Sequence, residues 1–479
     1  MSKVTSKKTH QRKTAANKKK PLKQDVIHMQ VIRPNAAGID IGDTMHAVAV
    51  PPGRDEKPVR SFGAFTCDLI AIVQWLKQCL IDTVAMESTG VYWKPLYALL
   101  IAEGFEVYLV NAKQTKNVSG RKTDMSDAAW IQMLHCCGLL KSSFLPDDLT
   151  ETIRTLVRQR KALLHDSTRC IQRIQKNFEL MNLKIHTVIS DITGKTGKAI
   201  IEAIIAGERK PENFLPLLDE RILATEEEIL KSMEGNWRSE CVFLVKQCYA
   251  QYQELLAHIR ECDKEIENIL QQMAATRNEG IIEPVPAKEN KSEELQKTKK
   301  KKRKNKNTPR FDVRTYLQQI NGVDVLEIFG MSEISALEIL SETGTDLSKW
   351  PTGNHFVSWM NFCPNNKITG GKLISSMIMK KTPNNAAQAF RAAANGLSRS
   401  DNWLGDYFRR MKAKGGHKYA VLATARKLAL IYYRMVRYKE AFIEVDMETY
   451  KEKQRQAKIG YLEKRLAQLR RETPQIEAA

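Results

Sequence analysis

Between residues 29 and 146 apolar runs of two periods follow one another in a set order, and this order restricts the fold more than any other feature of the chain. GIDIGD (38–43) and MHAVAVP (45–51) read as two strands joined at a tight Gly42-Asp43 turn, and VRSFGAFT (59–66) as a third, antiparallel strand. CDLIAIVQWLKQCL (67–80) has helical spacing, IDTVAMES (81–88) is strand-like, VYWKPLYALLIAEG (91–104) helical and FEVYLVN (105–111) strand-like. A further helix begins near KTDMSDA (122–128). The order is therefore three strands, helix, strand, helix, strand, helix.

That succession belongs to the ribonuclease H-like fold, whose active site gathers acids from the first strand, the fourth strand and a later helix. The chain has an acid at each place: Asp40 in the first strand, Glu87 ending the fourth, and Asp124 with Asp127 at the helix start. An Asp between Ile39 and Ile41 in a buried strand is costly unless its charge is neutralised or hydrogen-bonded. A divalent cation would neutralise it, and hard carboxylate oxygens suit Mg²⁺ or Mn²⁺. Residues i and i+3 share a helix face, so Asp124 and Asp127 are expected to converge on the same ions. Two such ions would serve phosphoryl transfer. The plainer account makes Asp124 and Ser126 helix caps, with Asp127 favourably placed in the first turn. Asp43 fits a turn, and Glu103 and Glu106 flank a helix end, so none of these joins the set. Lys113, Arg121 and Lys122 precede the Asp pair, where they would hold a scissile phosphate or simply face solvent. His46 and His135 receive no role.

Charge narrows the partner. With 76 Lys and Arg against 55 Asp and Glu, the formal net charge is +21, and its clustering favours a polyanion, nucleic acid first. Runs of about 18 apolar residues are absent and the N-terminus has no apolar signal core, so neither a membrane partner nor export is expected. Nine scattered cysteines without a CxxC pair read as reduced, buried thiols of a reducing cytosol.

The domain reading follows the same patterns. Residues 1–28 form a basic arm, Lys-rich and acid-free through 24, expected to be disordered and able to add phosphate contacts, and 29–146 the α/β domain. Residues 147–276 carry long helices with a coiled-coil-like seam. The first has a basic surface of Arg154, Arg158, Arg160, Lys161, Arg169 and Arg173, suited to tracking phosphates. The second places Cys241, Leu244, Cys248, Tyr252, Leu255, Ile259, Cys262, Ile266, Ile269 and Met273 at steps of three and four. Its partner is either the preceding helix or another copy. Residues 277–310 read as a basic flexible linker, 311–443 as a mainly helical C-terminal domain with a Gly-, Asn- and Lys-rich loop (CPNNKITGGKLISS), and 444–479 as a charged helical tail.

With these residues in place, the chain resembles the insertion-sequence transposases of the IS-one-ten type and the related Piv DNA invertases. GIDIGD, VAMESTGVYW, VNAKQTKNVSGRKTDMSDAAWI, RTLVRQRKALL, GTDLSKWPTGNHFVSWMNFCPNNKITGGK and NAAQAFRAAANGL carry the likeness over most of residues 35–440. The resemblance implies a RuvC-like domain whose DEDD tetrad is Asp40, Glu87, Asp124 and Asp127, and a C-terminal domain supplying a serine nucleophile. It further implies a covalent phosphoserine intermediate, a guide non-coding RNA, element-end and target DNA, a homo-oligomer (dimer or tetramer), and residence at the nucleoid of a prokaryotic cytoplasm. Where relatives usually read SGGK this chain has ITGGK, so Thr369 is the positional equivalent, with Ser375 and Ser376 as substitutes and Lys372 as a nucleic-acid contact. Threonine retains a hydroxyl, while its extra methyl restricts rotamers and crowds an in-line approach. Three alternatives stay open: a catalytically impaired nucleic-acid-binding relative, a metal-dependent RuvC-like nuclease, and a Piv-like invertase.

Overall fold

The computed structural model describes residues 30–88, 90–111, 115, 126–278, 307–378 and 384–472. Asp124, Lys113, Arg121 and Lys122 lie outside them, as do the basic arm and most of the 277–310 linker. The chain divides into a unit ending at Leu145 and a unit beginning at Pro146.

The first unit is a mixed α/β sheet domain. Strands β1 (Ala36–Ile41), β2 (Met45–Ala49) and β3 (Val59–Gly63) precede helix α1 (Thr66–Gln78), β4 (Thr83–Glu87), α2 (Trp93–Ala102), β5 (Glu106–Val110) and α3 (Asp127–Cys136). The sheet order is β3-β2-β1-β4-β5, with β1 antiparallel to β2 and parallel to β4. The β1–β2 turn closes through Gly42, whose amide donates to the Met45 carbonyl; an added Cβ would lie 2.4 Å from that oxygen. Side chains alternate across the sheet. One face presents Ala37, Ile39, Ile41 and Val48 to the apolar sides of α1 and α2, where Ile72, Leu76, Leu96 and Leu100 are fully buried. The other face carries Ala85 and Val110 against Trp130, Ile131 and Leu134 of α3.

The second unit is mainly helical. Helices α4 (Asp148–Leu180) and α8 (Ser239–Asn278) flank a group not anticipated from the sequence: α5 (Ile185–Val188), α6 (Lys195–Ala206), a 3₁₀ segment (Pro211–Leu217) and α7 (Glu226–Met233). Ile200, Ile204, Phe214 and Met233 from this group pack with Phe178 of α4 and Val245 of α8. The long helices run antiparallel, since Arg160 meets Asp263 while Cys170 meets Gln251. The seam of α8 thus has a partner within the chain. Two seam positions shift: Leu244 is 44% exposed while Val245 is fully buried, and Ile269 is half-buried while Leu270 is fully buried. Steps of three and four both stay on one helix face, so spacing alone does not choose between them.

The unit continues through α9 (Val313–Asn321), α10 (Glu333–Thr343), α11 (Gly353–Trp359), β6 (Pro364–Thr369), β7 (Lys372–Ile378), α12 (Asn385–Gly396), α13 (Trp403–Tyr438) and α14 (Met447–Glu472). An aromatic core of Phe356, Phe390, Tyr432 and Tyr433 holds α11, α12 and α13 together. The Tyr433 hydroxyl donates to the Trp350 carbonyl at 2.6 Å. Helix α13 breaks at Gly415-Gly416, where Gly416 takes φ 79°, ψ 179°, a conformation essentially restricted to glycine. All nine cysteines are free; Cys67 is exposed and the others are buried or half-buried. No helix among the described residues is long and apolar enough to cross a membrane.

Candidate functional site

The acidic edge of the first unit is built by one glycine. Gly38 lies so close to α3 that an added Cβ would sit 2.2 Å from the Gln132 nitrogen and 2.5 Å from the Ala128 carbonyl oxygen. Farther along α3, Gln132 Nε2 donates to the Ala36 carbonyl at 3.2 Å, and the Cys136 carbonyl accepts from the amides of Ile32 and Arg33. The helix therefore runs antiparallel to β1, which brings its N-terminus to the C-terminal end of the strand. Asp40, two residues beyond Gly38, shares the α3-facing side of the sheet.

Glu87 joins it by strand register. The β1–β4 pairs are Ala36–Thr83 through Ile39–Met86, and Asp40 and Glu87 are the next residues of the two strands. Neighbouring strands are about 4.8 Å apart, so the two backbones carry these carboxylates side by side. Thr115 Oγ1 donates to Glu87 Oε2 at 3.4 Å, and its carbonyl accepts from Trp130 Nε1 of α3 at 2.9 Å. This tie between Glu87 and α3 was not foreseen, and no sequence spacing signals it. Helix α3 starts at Asp127. Ser126 is extended (φ −62°, ψ 152°) and caps it by accepting from the Ala129 amide. The capping role foreseen for Ser126 is present, while Asp124, the other expected member of the pair, lies outside the described residues.

Asp40, Glu87 and Asp127 thus come from three elements to one edge of the sheet. Among the described residues no three His, Cys, Asp or Glu side chains are grouped closely enough to hold a metal ion. The donor chemistry, all hard carboxylate oxygen, fits a Mg²⁺-type ion, but these three acids do not form a closed ligand set by themselves.

In the second unit the segment expected to be a loop is a β-hairpin. Thr369 pairs with Lys372 across a two-residue turn in which Gly370 (φ 56°) and Gly371 (φ 74°) both lie in the left-handed region. This is the turn whose twist matches paired strands, and a Gly-Gly dipeptide between NKIT and KLISS is its sequence signature. Thr369 and Lys372 are exposed at the hairpin tip. Ser375 is half-buried opposite Lys367, and the Ser376 hydroxyl donates to Asn366 Oδ1 at 2.7 Å.

A family model described as Transposase, of the IS110 type, matches residues 37–182, the span holding β1, β4, α3 and α4. A second, described as Transposase IS116/IS110/IS902 family, matches residues 324–409, the span holding the hairpin. The chain belongs to the IS110-type transposases. No curated protein matches it. Membership makes the chain a DNA transposase, an enzyme that cuts and rejoins DNA.

Several of the transposase's basic candidates are already held by acids within the second unit. Arg160 lies on the buried stripe of α4 between Val157 and Leu163, and its Nε donates to Asp263 of α8. Glu342 of α10, 5% exposed, accepts two parallel bonds from Arg158, both 2.9 Å, and pairs with Arg154 at 3.4 Å. Lys161 pairs with Glu338 at 2.9 Å. Arg169 meets only its helical neighbour Asp166 among the described acids and is 71% exposed; Arg173 is also exposed. Of the basic candidates on α4, those in its first half are thus paired with acids of α8 and α10, and Arg169 and Arg173 in its second half are exposed.

The two histidines are structural. His46 pairs with Ile41 and so faces α1 and α2, opposite the acids; burial lowers its pKa. His135 is fully buried at the far end of α3, 2.9 Å from Thr83 Oγ1 and with its ring tilted against that of Tyr108, centroids 4.7 Å apart.

Proposed function

We propose that Asp40, Glu87 and Asp127, completed by Asp124, hold Mg²⁺ or Mn²⁺ in this transposase, and that Thr369 supplies the hydroxyl that attacks DNA. The observation that carries the reading is the antiparallel seating of α3 on Gly38, which supports a meeting of Asp127 with Asp40 and Glu87 at one sheet edge. The order β3-β2-β1-β4-β5 is that of the ribonuclease H-like fold and supports the same assignment. Bound there, the ion would act as a Lewis acid on a phosphoryl oxygen. In the second unit, Thr369 at an exposed tip leaves its hydroxyl accessible, and cross-strand neighbours lie about 5 Å apart at Cβ, within reach of Lys372. Lys372 would hold the phosphate that Thr369 approaches. A guide RNA and a homo-oligomer belong to this proposal through the family likeness.

Threonine at the nucleophile position favours one second reading, a transposase of impaired activity. The two are separated by trapping covalent protein–DNA adducts on nicked element-end DNA with Mg²⁺ and the flanking transcript. The expected result is an adduct abolished in Thr369→Ala and in Asp40→Asn. An adduct that persists in Thr369→Ala removes that residue from the reaction. Gain of tenfold or more in Thr369→Ser favours the impaired reading.

A further inference from the structure

The hairpin that ends in Thr369 has two dissimilar faces. Side chains alternate along each strand, so the Thr369–Lys372 pair lies on one face and the preceding Ile368–Leu373 pair on the other. Ile368 is 62% exposed and Leu373 58%, at the tip of a two-stranded sheet. A register shift between Lys367 and Ile368 leaves Ile374 without a cross-strand partner, and it too is exposed, at 67%. A bulge of this kind increases local twist and re-aims side chains. Three aliphatic side chains held in water at one projecting tip mark an interaction surface.

Charge identifies what that surface meets. From Leu347 to Ser400 the sequence contains no Asp or Glu, while it contains seven Lys and Arg, among them Lys367 and Lys372 on the hairpin itself. A stretch of 54 residues free of carboxylates, with an aliphatic tip between lysines, complements a polyanion whose interior is apolar. Duplex DNA is such a partner: phosphates line its outside and stacked bases its inside. Proteins that kink DNA insert Ile, Leu or Phe wedges between base steps while cations hold the backbone.

We propose that the β6–β7 hairpin is a DNA wedge, with Ile368 and Leu373 entering between base pairs of the substrate duplex while Lys367 and Lys372 hold the flanking phosphates. Unstacking at that step would kink the duplex away from the inserted side chains and leave a flanking phosphate beside the hairpin's opposite, hydroxyl-bearing face. The wedge goes beyond the catalytic assignment of Thr369 and stands without it, because it needs only the apolar face and the lysines.

The test uses the full-length chain with Mg²⁺ and the flanking transcript, and element-end duplexes carrying 2-aminopurine at successive base steps, whose fluorescence rises when the base unstacks. A rise of about threefold or more is expected at one step. It should be lost in the Ile368→Ser, Leu373→Ser double variant, with duplex affinity kept within about threefold and the circular dichroism spectrum unchanged. In Thr369→Ala the rise should persist, so failure of the nucleophile assignment and failure of the wedge are separately visible. No rise at any step, or an undiminished rise in the double variant, overturns the wedge. Loss of a sedimenting oligomer in the double variant, with the fluorescence rise intact, would instead make the hairpin a contact between two copies of this chain and likewise overturn it.

Discussion

His135 illustrates how a residue can be chemically distinctive without being part of the reaction. Burial, followed by the nearby Arg33 guanidinium, pushes its pKa down to about 4 from an ordinary 6.5. The unfolded chain therefore binds a proton that the folded chain refuses between those values. Folding stability from this group is complete above about pH 6.5 and is lost as pH falls toward 4. The shift corresponds to roughly 3 kcal/mol at most. Thermal melts of the transposase from pH 7.5 to 4.5 should show the first unit losing stability, and His135→Gln should flatten that loss while leaving duplex affinity at pH 7.5 unchanged. A slope identical in the variant would assign the acid sensitivity to other groups, His46 among them. At this scale the sequence was legible where residue type and local pattern coincide, as with Asp40 inside a strand. It was not legible where a distant partner decides the role. Arg160 reads as one more cation of a basic helix, and only Asp263, 103 residues away on α8, makes it a buried structural group.

At the scale of elements, the alternation of strand and helix periods was readable because period 2 and period 3.6 leave different apolar patterns. The hairpin reads as a loop although its Gly-Gly turn signal is present, since short strands exposed on both faces carry no alternation of apolar and polar residues. Helices α5 and α7 span only four and eight residues, too few to establish a period of 3.6 in the sequence. The seating of α3 was hidden too, although a glycine within a strand marks a place where another backbone comes close. This glycine provides the test at this scale. Both atoms that a Cβ would meet at Gly38 belong to the backbone of α3, so no side-chain rotation relieves the clash. Gly38→Ala should cost about 1–3 kcal/mol, the usual range for overpacking, and shift α3 off the sheet. Because Asp127 opens that helix, Mg²⁺-dependent adduct formation should fall by tenfold or more, beyond what the loss of folded protein at 25 °C explains. Full adduct yield in a folded Gly38→Ala variant would separate Asp127 from the chemistry.

Over the whole molecule, a net charge of +21 does not mean that every cation is offered to nucleic acid. The second unit spends Arg154, Arg158, Arg160 and Lys161 of α4 on Glu342, Asp263 and Glu338, acids carried by α10 and α8. Arg160 and Asp263 are buried on both sides, so removing Arg160 strands the Asp263 charge, at a cost of about 3–5 kcal/mol. Arg169 and Arg173 are exposed in the second half of the same helix, where their charge is available to a phosphate backbone. Each phosphate contact contributes about 0.9 to the fall of log K with log salt on duplex DNA. Measuring duplex affinity across salt concentrations therefore distinguishes the two halves of α4. Arg169→Ala with Arg173→Ala should lower the slope by up to about 2 and leave thermal stability nearly unchanged. Arg160→Met should do the reverse, lowering the melting temperature while the remaining folded protein keeps the parental slope. If Arg160→Met lowers the slope as much as the Arg169, Arg173 pair does, then the α4–α8 ion pair opens when DNA binds, and its charge belongs to the interface after all.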